Sequence, residues 1–253
     1  MLRTRVIPCL LLKNESLVKT VKFKEYNYIG DPVNTVRIFN ELEVDELMFL
    51  DIFASKEGNS INFKILKDIA NECFMPLSYG GNIKSLDDAK KIFKIGFEKV
   101  VINSNAFDNL KLIEEISKYF GSQSIIGSVD IKKSFWGGQK IYSHHGRIKQ
   151  KDNAVTWAKK LEDSGVGELL ITSIDREGSW SGYDIDLIES INKVVQVPII
   201  ANGGCGSVQH IEEVVKKANV SACAVGSLVV YQKKGMGVLV SFPKSLKSKT
   251  LLT

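Results

Sequence analysis

Pro198-Ile199-Ile200-Ala201-Asn202-Gly203-Gly204-Cys205-Gly206-Ser207 is the stretch that decides the fold, because paired glycines join a short apolar run to a helical pattern. The segment from Pro76 to Ser85 (PLSYGGNIKS) repeats the same order of features. Glycines after a strand allow a sharp turn and a close approach to a ligand, and the following helix N-terminus offers free N–H groups. Each stretch therefore predicts a strand, a phosphate-binding turn and a helix, although Gly-Gly also occurs in plain tight turns.

The composition is that of a soluble globular protein, with 44% hydrophobic and 25% charged residues in a chain of 253. The net charge of +5 comes from scattered lysines, which favours anionic small molecules and does not require nucleic acid. The apolar runs are too short for a membrane span and the N-terminus lacks a signal peptide, so we expect a cytoplasmic protein with no membrane association. Widely spaced cysteines and an isolated His144-His145 pair predict reduced thiols, no metal site and no cofactor.

Strand-like and helical patterns alternate along the chain. The eight predicted strands are Arg5–Leu12, Glu46–Asp51, Phe74–Tyr79, Lys99–Asn103, Ser124–Asp130, Glu168–Ser173, Pro198–Asn202 and Ala222–Gly226. Helical spacing fills the intervals between them, for example over Ser85–Ile95 and Val208–Lys217. Eight such units in about 250 residues predict the α/β class and a closed (β/α)8 TIM barrel, with a doubly wound open sheet as the main alternative.

An internal repeat supports the barrel. Val44, Glu46 and Leu47 reappear 122 residues later as Val166, Glu168 and Leu169, and Gly80-Gly81 reappears after 123 residues as Gly203-Gly204. We therefore predict one barrel domain over residues 1–253, built from half-barrels of about 1–122 and 123–253. A polar, lysine-bearing loop should follow the first strand, and a hairpin or loop should lie around Trp136-Gly137-Gly138.

Residues at the carboxyl ends of the strands are the candidates for chemistry, because that end of a barrel carries the active site. Asp130 could be a general acid or base, or could merely cap the next segment. Asp51 and Asp175 are typical of carboxylates that fix loops or orient a substrate. The remaining strand ends are glycine or small polar residues that suit a ligand with a phosphate at both ends: Gly80-Gly81, Asn103-Ser104, Ser173, Gly203-Gly204 and Gly226-Ser227.

Four charged residues open the strands at the opposite end of the predicted barrel. Arg5, Glu46, Lys99 and Glu168 would place two cations and two anions at the barrel floor. Such a network could simply stabilise the floor, or it could act as a gate.

Several segments, including Arg5-Val-Ile-Pro-Cys-Leu, Phe49-Leu-Asp51-Ile and Asn202-Gly-Gly, resemble the cyclase subunit of imidazole glycerol phosphate synthase up to about Val230. The resemblance implies a (β/α)8 barrel that receives ammonia from a glutaminase subunit under its floor and uses it on a bisphosphate. It implies phosphate binding by Gly81, Asn82, Asn103 and Ser104 at one end and by Gly203, Gly204, Gly226 and Ser227 at the other. It also implies catalysis by Asp130, substrate contact by Lys19 and an ammonia gate made of Arg5, Glu46, Lys99 and Glu168. From their positions at or just after strand ends, Asp51, Ser173 and Asp175 are further substrate-binding candidates.

One departure from this family weakens the cyclase interpretation. Leu11 stands where the family has its other catalytic aspartate, and a leucine transfers no proton. Together with the tail from Gln232 to Pro243, it resembles a paralogous branch that makes acetamidino groups on N-acetylated surface sugars, as in lipopolysaccharide, with a separate amidotransferase as a third protein. The acceptor would then be phosphorylated or nucleotide-linked. A genuine cyclase of histidine biosynthesis and a non-catalytic, ammonia-conducting scaffold that activates the glutaminase remain the alternatives.

Overall fold

The computed structural model describes residues 3–54, 60–134 and 138–246. In chain order the strands are β1 (Arg5–Lys13), β2 (Ser16–Val21), β3 (Glu25–Gly30), β4 (Leu47–Asp51), β5 (Leu77–Gly80), β6 (Lys99–Ile102), β7 (Ile125–Lys133), β8 (Gln139–Ser143), β9 (Ile148–Lys149), β10 (Glu168–Ser173), β11 (Ile199–Asn202) and β12 (Ala222–Val225). The helices are α1 (Pro32–Glu41), α2 (Phe63–Glu72), α3 (Leu86–Ile95), α4 (Ser104–Asp108), α5 (Lys111–Phe120), α6 (Ala154–Asp163), α7 (Ile185–Asn192), α8 (Val208–Ala218) and α9 (Ser227–Val230). None of these helices is long and apolar enough to cross a bilayer.

Eight of the strands form a closed parallel barrel. Strand β1 pairs in parallel with β12 on one side and with β4 on the other, so the sheet has no free edge there. The order around the barrel is β1, β4, β5, β6, β7, β10, β11 and β12. The predicted (β/α)8 TIM barrel is thereby confirmed, and the open-sheet alternative is excluded.

Two apolar clusters hold the barrel together. The larger one lies between the strands and the surrounding helices, and its fully buried members include Phe39, Leu66 and Ile116. The smaller one fills the inside of the barrel and includes Ile7, Met48 and Leu170. This second cluster separates the two ends of the barrel, which carry different polar groups.

Hairpins interrupt the alternation at two places. The segment predicted as a loop after the first strand is a hairpin, because β2 pairs antiparallel with both β1 and β3. Strand β7 likewise continues past the barrel and pairs antiparallel with β8. Trp136 and Gly137 of the predicted turn lie outside the described residues, whereas the strands on either side confirm a hairpin.

The chain does not form a long helix between α9 and residue 246. Tyr231 forms an isolated bridge with Val238, and the chain then buries Phe242 and, at the end of a short 3-10 helix (Lys244–Leu246), Leu246 against the core. The carbonyl oxygen of Leu246 accepts a hydrogen bond from Arg3 Nη2 at 2.7 Å, near the start of β1. The segment after α9 is thus tied to the residues that precede β1.

Ser85 provides a test of how local sequence fixes this fold. Its hydroxyl accepts from the Asp88 backbone N–H at 3.1 Å, while the Asp88 carboxylate accepts from the Ser85 N–H at 3.1 Å. We expect Ser85→Ala to lower the free energy of unfolding by about 1 kcal/mol, because it leaves a helix N–H unpaired. Urea unfolding measures this loss, with Lys94→Ala on the same helix as the control that stays within about 0.5 kcal/mol. Equal effects of the two variants would contradict the capping role.

Candidate active site and charged barrel floor

Four charged side chains close the floor of the barrel, at the amino ends of its strands. Arg5 contacts both carboxylates, with Nη1 at 2.7 Å from Glu46 Oε2 and Nη2 at 2.6 Å from Glu168 Oε1. Lys99 Nζ contacts the same two residues at 3.4 Å and 3.2 Å. Burial lowers the pKa of Arg5, but Glu168 and Glu46 outweigh that effect and hold the pKa above its ordinary value. The sequence-predicted gate residues therefore form one ring of alternating charge.

Above this floor ring the barrel interior is apolar. Alternate residues of a strand share a face, so Ile7 and Cys9 follow Arg5 into the barrel and Leu11 reaches the mouth. Burial raises the pKa of the Cys9 thiol to about 12, so the thiol stays protonated at neutral pH and is a poor nucleophile. The interior connects a charged floor to a polar mouth through a stretch without ionised groups.

One cavity at the carboxyl ends of the strands brings most of the predicted site together. Its lining includes Leu11, Lys19, Asp51, Gly81, Asn82, Asn103, Ser104, Asp130, Gly203, Gly204, Gly226 and Ser227. Two predicted substrate-binding residues, Ser173 and Asp175, do not line it. Thr172 does, because it lies opposite Asp130 in the pairing of β10 with β7 and its neighbour Ser173 faces away.

Asp130 is the centre of a hydrogen-bond network in this cavity. Asn103 Nδ2 donates to Asp130 Oδ2 at 2.9 Å, and Asn202 Nδ2 donates to Thr172 Oγ1 at 3.1 Å. Burial raises the pKa of Asp130 to about 7, although hydrogen bonds from Thr172, Ser128 and Asn103 oppose the shift. A carboxyl group with this pKa can both accept and donate a proton near neutral pH.

Asp51 and Asp175 fix loops. Asp51 Oδ1 accepts from the backbone N–H groups of Phe53 at 3.0 Å and Ala54 at 2.9 Å, and burial raises the pKa of this carboxyl. Asp175 Oδ2 accepts from the Lys133 N–H at 2.7 Å and so ties the loop after β10 to the end of β7. These contacts agree with the loop-fixing interpretation of both carboxylates.

Lys19 enters the cavity from the first hairpin and is held by a residue that the sequence analysis missed. Its Nζ forms a buried ion pair with the Glu177 carboxylate and donates to the Thr20 carbonyl oxygen at 3.0 Å. Glu177 also accepts from the Phe23 N–H at 3.2 Å. No spacing rule singled out Glu177, because it lies beyond the strand end in a loop after β10.

The two glycine turns are not alike. We call Gly81, Asn82, Asn103 and Ser104 half-site one, and Gly203, Gly204, Gly226 and Ser227 half-site two. Asn103 and Gly226 have matching backbones, with φ −122° and ψ −86° in the first and φ −114° and ψ −82° in the second. In the turns themselves, however, the left-handed residues are Gly203 and Gly204 in half-site two but Asn82 in half-site one.

A hairpin turn lies against half-site one. Three successive left-handed residues, His144, His145 and Gly146, form this turn, and the His144 N–H donates to Ser104 Oγ at 2.9 Å. The His145 ring stacks on Phe23 with centroids 4.8 Å apart, which joins the β8–β9 turn to the first hairpin. Across residues 3–54, 60–134 and 138–246, no cluster of three or more potential ligands could hold a metal ion.

Comparison with known proteins gives one consistent result. A family profile described as histidine biosynthesis protein matches residues 5–235. A provisionally named imidazole glycerol phosphate synthase subunit, hisF2 of Pseudomonas aeruginosa, is 51% identical over 243 residues, covering 96% of this chain and 97% of its own length. A Vibrio vulnificus protein with a similar provisional name is 41% identical over 253 residues, covering 100% and 97%. The imidazole glycerol phosphate synthase subunit HisF of Bacillus cereus is 40% identical over 237 residues, covering 94% of each chain.

The raised pKa of Asp130 should appear as a pH dependence of stability. A carboxyl whose pKa rises on folding stabilises the protein while it is protonated in the folded state, and this contribution is lost as pH rises through about 7. Between pH 5 and pH 8 we expect the unaltered protein to lose about 2 to 3 kcal/mol of unfolding free energy relative to Asp130→Asn, measured by urea unfolding. Asp175→Asn removes a carboxylate outside the cavity and is the matched control. Parallel pH curves for the unaltered protein and Asp130→Asn would contradict the assignment.

The floor ring can be tested for a purely stabilising role. Arg5→Ala leaves the buried Glu46 with Lys99 alone and should cost about 2 to 3 kcal/mol of unfolding free energy. The double variant Arg5→Met/Glu46→Leu replaces one ion pair by apolar groups and keeps the Lys99–Glu168 pair. Its free energy of unfolding should therefore lie within about 1 kcal/mol of that of the unaltered protein. If the double variant were less stable than Arg5→Ala, stability alone would explain the ring.

Proposed function

The chain belongs to the histidine biosynthesis protein family, among the HisF-type cyclase subunits of imidazole glycerol phosphate synthase, and from that premise we propose that it is the ammonia-using barrel of a glutamine-dependent amidotransferase. A glutaminase subunit supplies ammonia at the barrel floor. The ammonia passes through the apolar interior and reacts at the mouth. The product of this reaction is an acetamidino group on an N-acetylated surface sugar.

The observation that carries this proposal is the floor ring below an apolar interior. An ionised ammonium would have to leave water to enter such an interior, whereas neutral ammonia enters at much lower cost. The ring also differs from a floor closed by packed apolar side chains. Arg5 and Lys99 each contact both Glu46 and Glu168, so either long side chain can change rotamer and still keep an ion pair with one of these carboxylates. The floor can therefore open for a small neutral molecule without unpacking the core.

Exposed aromatic residues near the floor support a glutaminase interface there. Phe74 precedes β5 and is 86% exposed, and Tyr119 near the end of α5 is 62% exposed. Large exposed apolar side chains are enriched at protein interaction surfaces. Ammonia released on this side would be delivered directly to the ring formed by Arg5, Glu46, Lys99 and Glu168.

Leu11 favours amidation over cyclisation. It lines the same cavity as Asp130 but offers no proton, so a reaction that needs two carboxylates is disabled. Acetamidino formation needs less from the barrel. Once the acetamido oxygen has been activated with ATP on a separate amidotransferase, ammonia attacks the carbon, the oxygen leaves with the activating group, and one proton is lost from nitrogen. Asp130, with a pKa of about 7, can accept that proton.

The acceptor is an anionic, phosphorylated or nucleotide-linked sugar. Backbone N–H groups at glycine turns suit a phosphate oxygen, and Lys19 brings a cation into the same cavity. The retention of Asp130, Lys19 and most of the half-site residues also supports the genuine cyclase as the second candidate. An ammonia-conducting scaffold without chemistry of its own would leave the pKa of Asp130 without a use.

Position 11 separates these candidates. With free ammonia and the phosphoribulosyl-formimino bisphosphate, we expect imidazole glycerol phosphate formation by the unaltered protein to be at least about a thousandfold slower than by a cyclase with both aspartates. Leu11→Asp should raise the rate if the bisphosphate still binds, and Leu11→Asn is the matched variant that adds polarity without a titratable proton. Ordinary turnover by the unaltered protein would place it in histidine biosynthesis.

A further inference from the structure

Half-site one lines the cavity, but three of its polar groups are already engaged by neighbouring parts of the chain. The Ser104 hydroxyl accepts from the His144 N–H, the Asn103 amide donates to Asp130, and the Tyr79 hydroxyl donates to the Gly81 carbonyl oxygen at 3.3 Å. A phosphate binding here would have to share the Ser104 hydroxyl with the His144 N–H of the β8–β9 turn. That turn is fixed, because the buried Ser143 hydroxyl before it accepts from Gln150 Nε2 at 2.7 Å and His145 stacks on Phe23.

The charges around half-site one also disfavour an anion. Asp51 lies directly beside Gly81, since its Cβ is 2.7 Å from where a Cβ on that glycine would be. Asp130 is bonded to Asn103 on the other side of the half-site. A phosphate between two carboxyl groups would meet repulsion whenever either of them is ionised.

Half-site two has the opposite surroundings. The Ser227 hydroxyl makes no hydrogen bond with any part of the chain that the structure describes, and Gly226 puts no side chain where Asn103 stands in half-site one. Lys19 lies close by, with its Cε 3.0 Å from the position of a Cβ on Gly226, although Glu177 shares its charge. Arg176 packs beside Gly204, with its Cβ 3.0 Å from the position of a Cβ on that glycine. Its guanidinium donates hydrogen bonds to the carbonyl oxygens of Ser181 and Gly182 and lies 3.9 Å from the Asp184 carboxylate.

We propose that only half-site two binds phosphate, so that the cavity takes a ligand phosphorylated at one end and uncharged at the other. The β8–β9 turn at His144 and His145 sets this specificity. The inference deepens the proposed function, because a sugar linked to phosphate at one end fits this cavity and a linear bisphosphate does not. The different backbone conformations of the two glycine turns, whose sequences repeat, agree with different roles for the two half-sites.

Two small probes test the proposal on the unaltered protein by calorimetry. Ribose 5-phosphate carries one phosphate and ribulose 1,5-bisphosphate carries one at each end. We expect both to bind with a stoichiometry of one and with dissociation constants within about threefold of each other. Two working half-sites would make the bisphosphate about a hundredfold tighter, which would overturn the proposal. Failure of ribose 5-phosphate to bind would overturn it as well.

Variants then locate the bound phosphate. Gly226→Asp puts a carboxylate into half-site two at a position with ordinary φ, where the flexible end of Lys19 is the nearest neighbour and the Cys9 carbonyl oxygen is in ordinary contact at 3.6 Å. It should weaken both probes at least tenfold, whereas the neutral Gly226→Asn should weaken them less. Ser104→Asp places the same charge in half-site one and should change neither affinity more than about threefold. A larger loss with Ser104→Asp would show phosphate at half-site one.

These binding measurements use neither ammonia nor a glutaminase. A failure here would therefore leave the ammonia path and the amidation proposal standing, with a bisphosphate as the ligand. Conversely, ordinary cyclase turnover would reject the proposed function whatever the ratio of the two probe affinities.

Discussion

Closure of the parallel sheet between β1 and β12 is the constraint on which the rest of the structure depends. Once the sheet is closed, every second side chain of each strand points to the barrel axis. Its position between the amino and carboxyl ends of the strand then decides whether it lies at the floor, in the interior or at the mouth. On β1 this order is Arg5 at the floor, Ile7 and Cys9 in the interior, and Leu11 at the mouth. Floor ring, apolar interior and cavity are thus successive layers of one pattern, and the same strands position all three.

The sequence was informative wherever function follows strand periodicity. The barrel, the four floor residues and most of the cavity lining could be predicted because strand ends in a parallel barrel share one edge. The sequence pointed to Ser173, whereas the neighbouring Thr172 is the residue that lines the cavity. Consecutive strand residues face opposite sides, and only the pairing of Thr172 with Asp130 shows which one enters the barrel.

Other features could not be predicted because they depend on contacts distant in sequence. Glu177 matters through Lys19, which lies 158 residues away, and the turn at His144 matters through Ser104, 40 residues away. The repeat at an interval of 123 residues correctly matched the glycine turns in sequence. It could not show that Asp51, Tyr79 and a hairpin surround one turn while Lys19 and Arg176 approach the other.

The alternating arrangement of the floor ring has a further electrostatic consequence. Two positive and two negative charges that alternate around a ring have no net charge and almost no dipole, so the field of this quadrupole falls off steeply along the barrel axis. In agreement, burial raises the pKa of Asp130, hydrogen bonds from three nearby side chains oppose the shift, and none of the four floor charges contributes to it. The two ends of the barrel are electrically independent as long as all four charges are present. Loss of a single one would turn the quadrupole into a monopole whose field extends to the mouth.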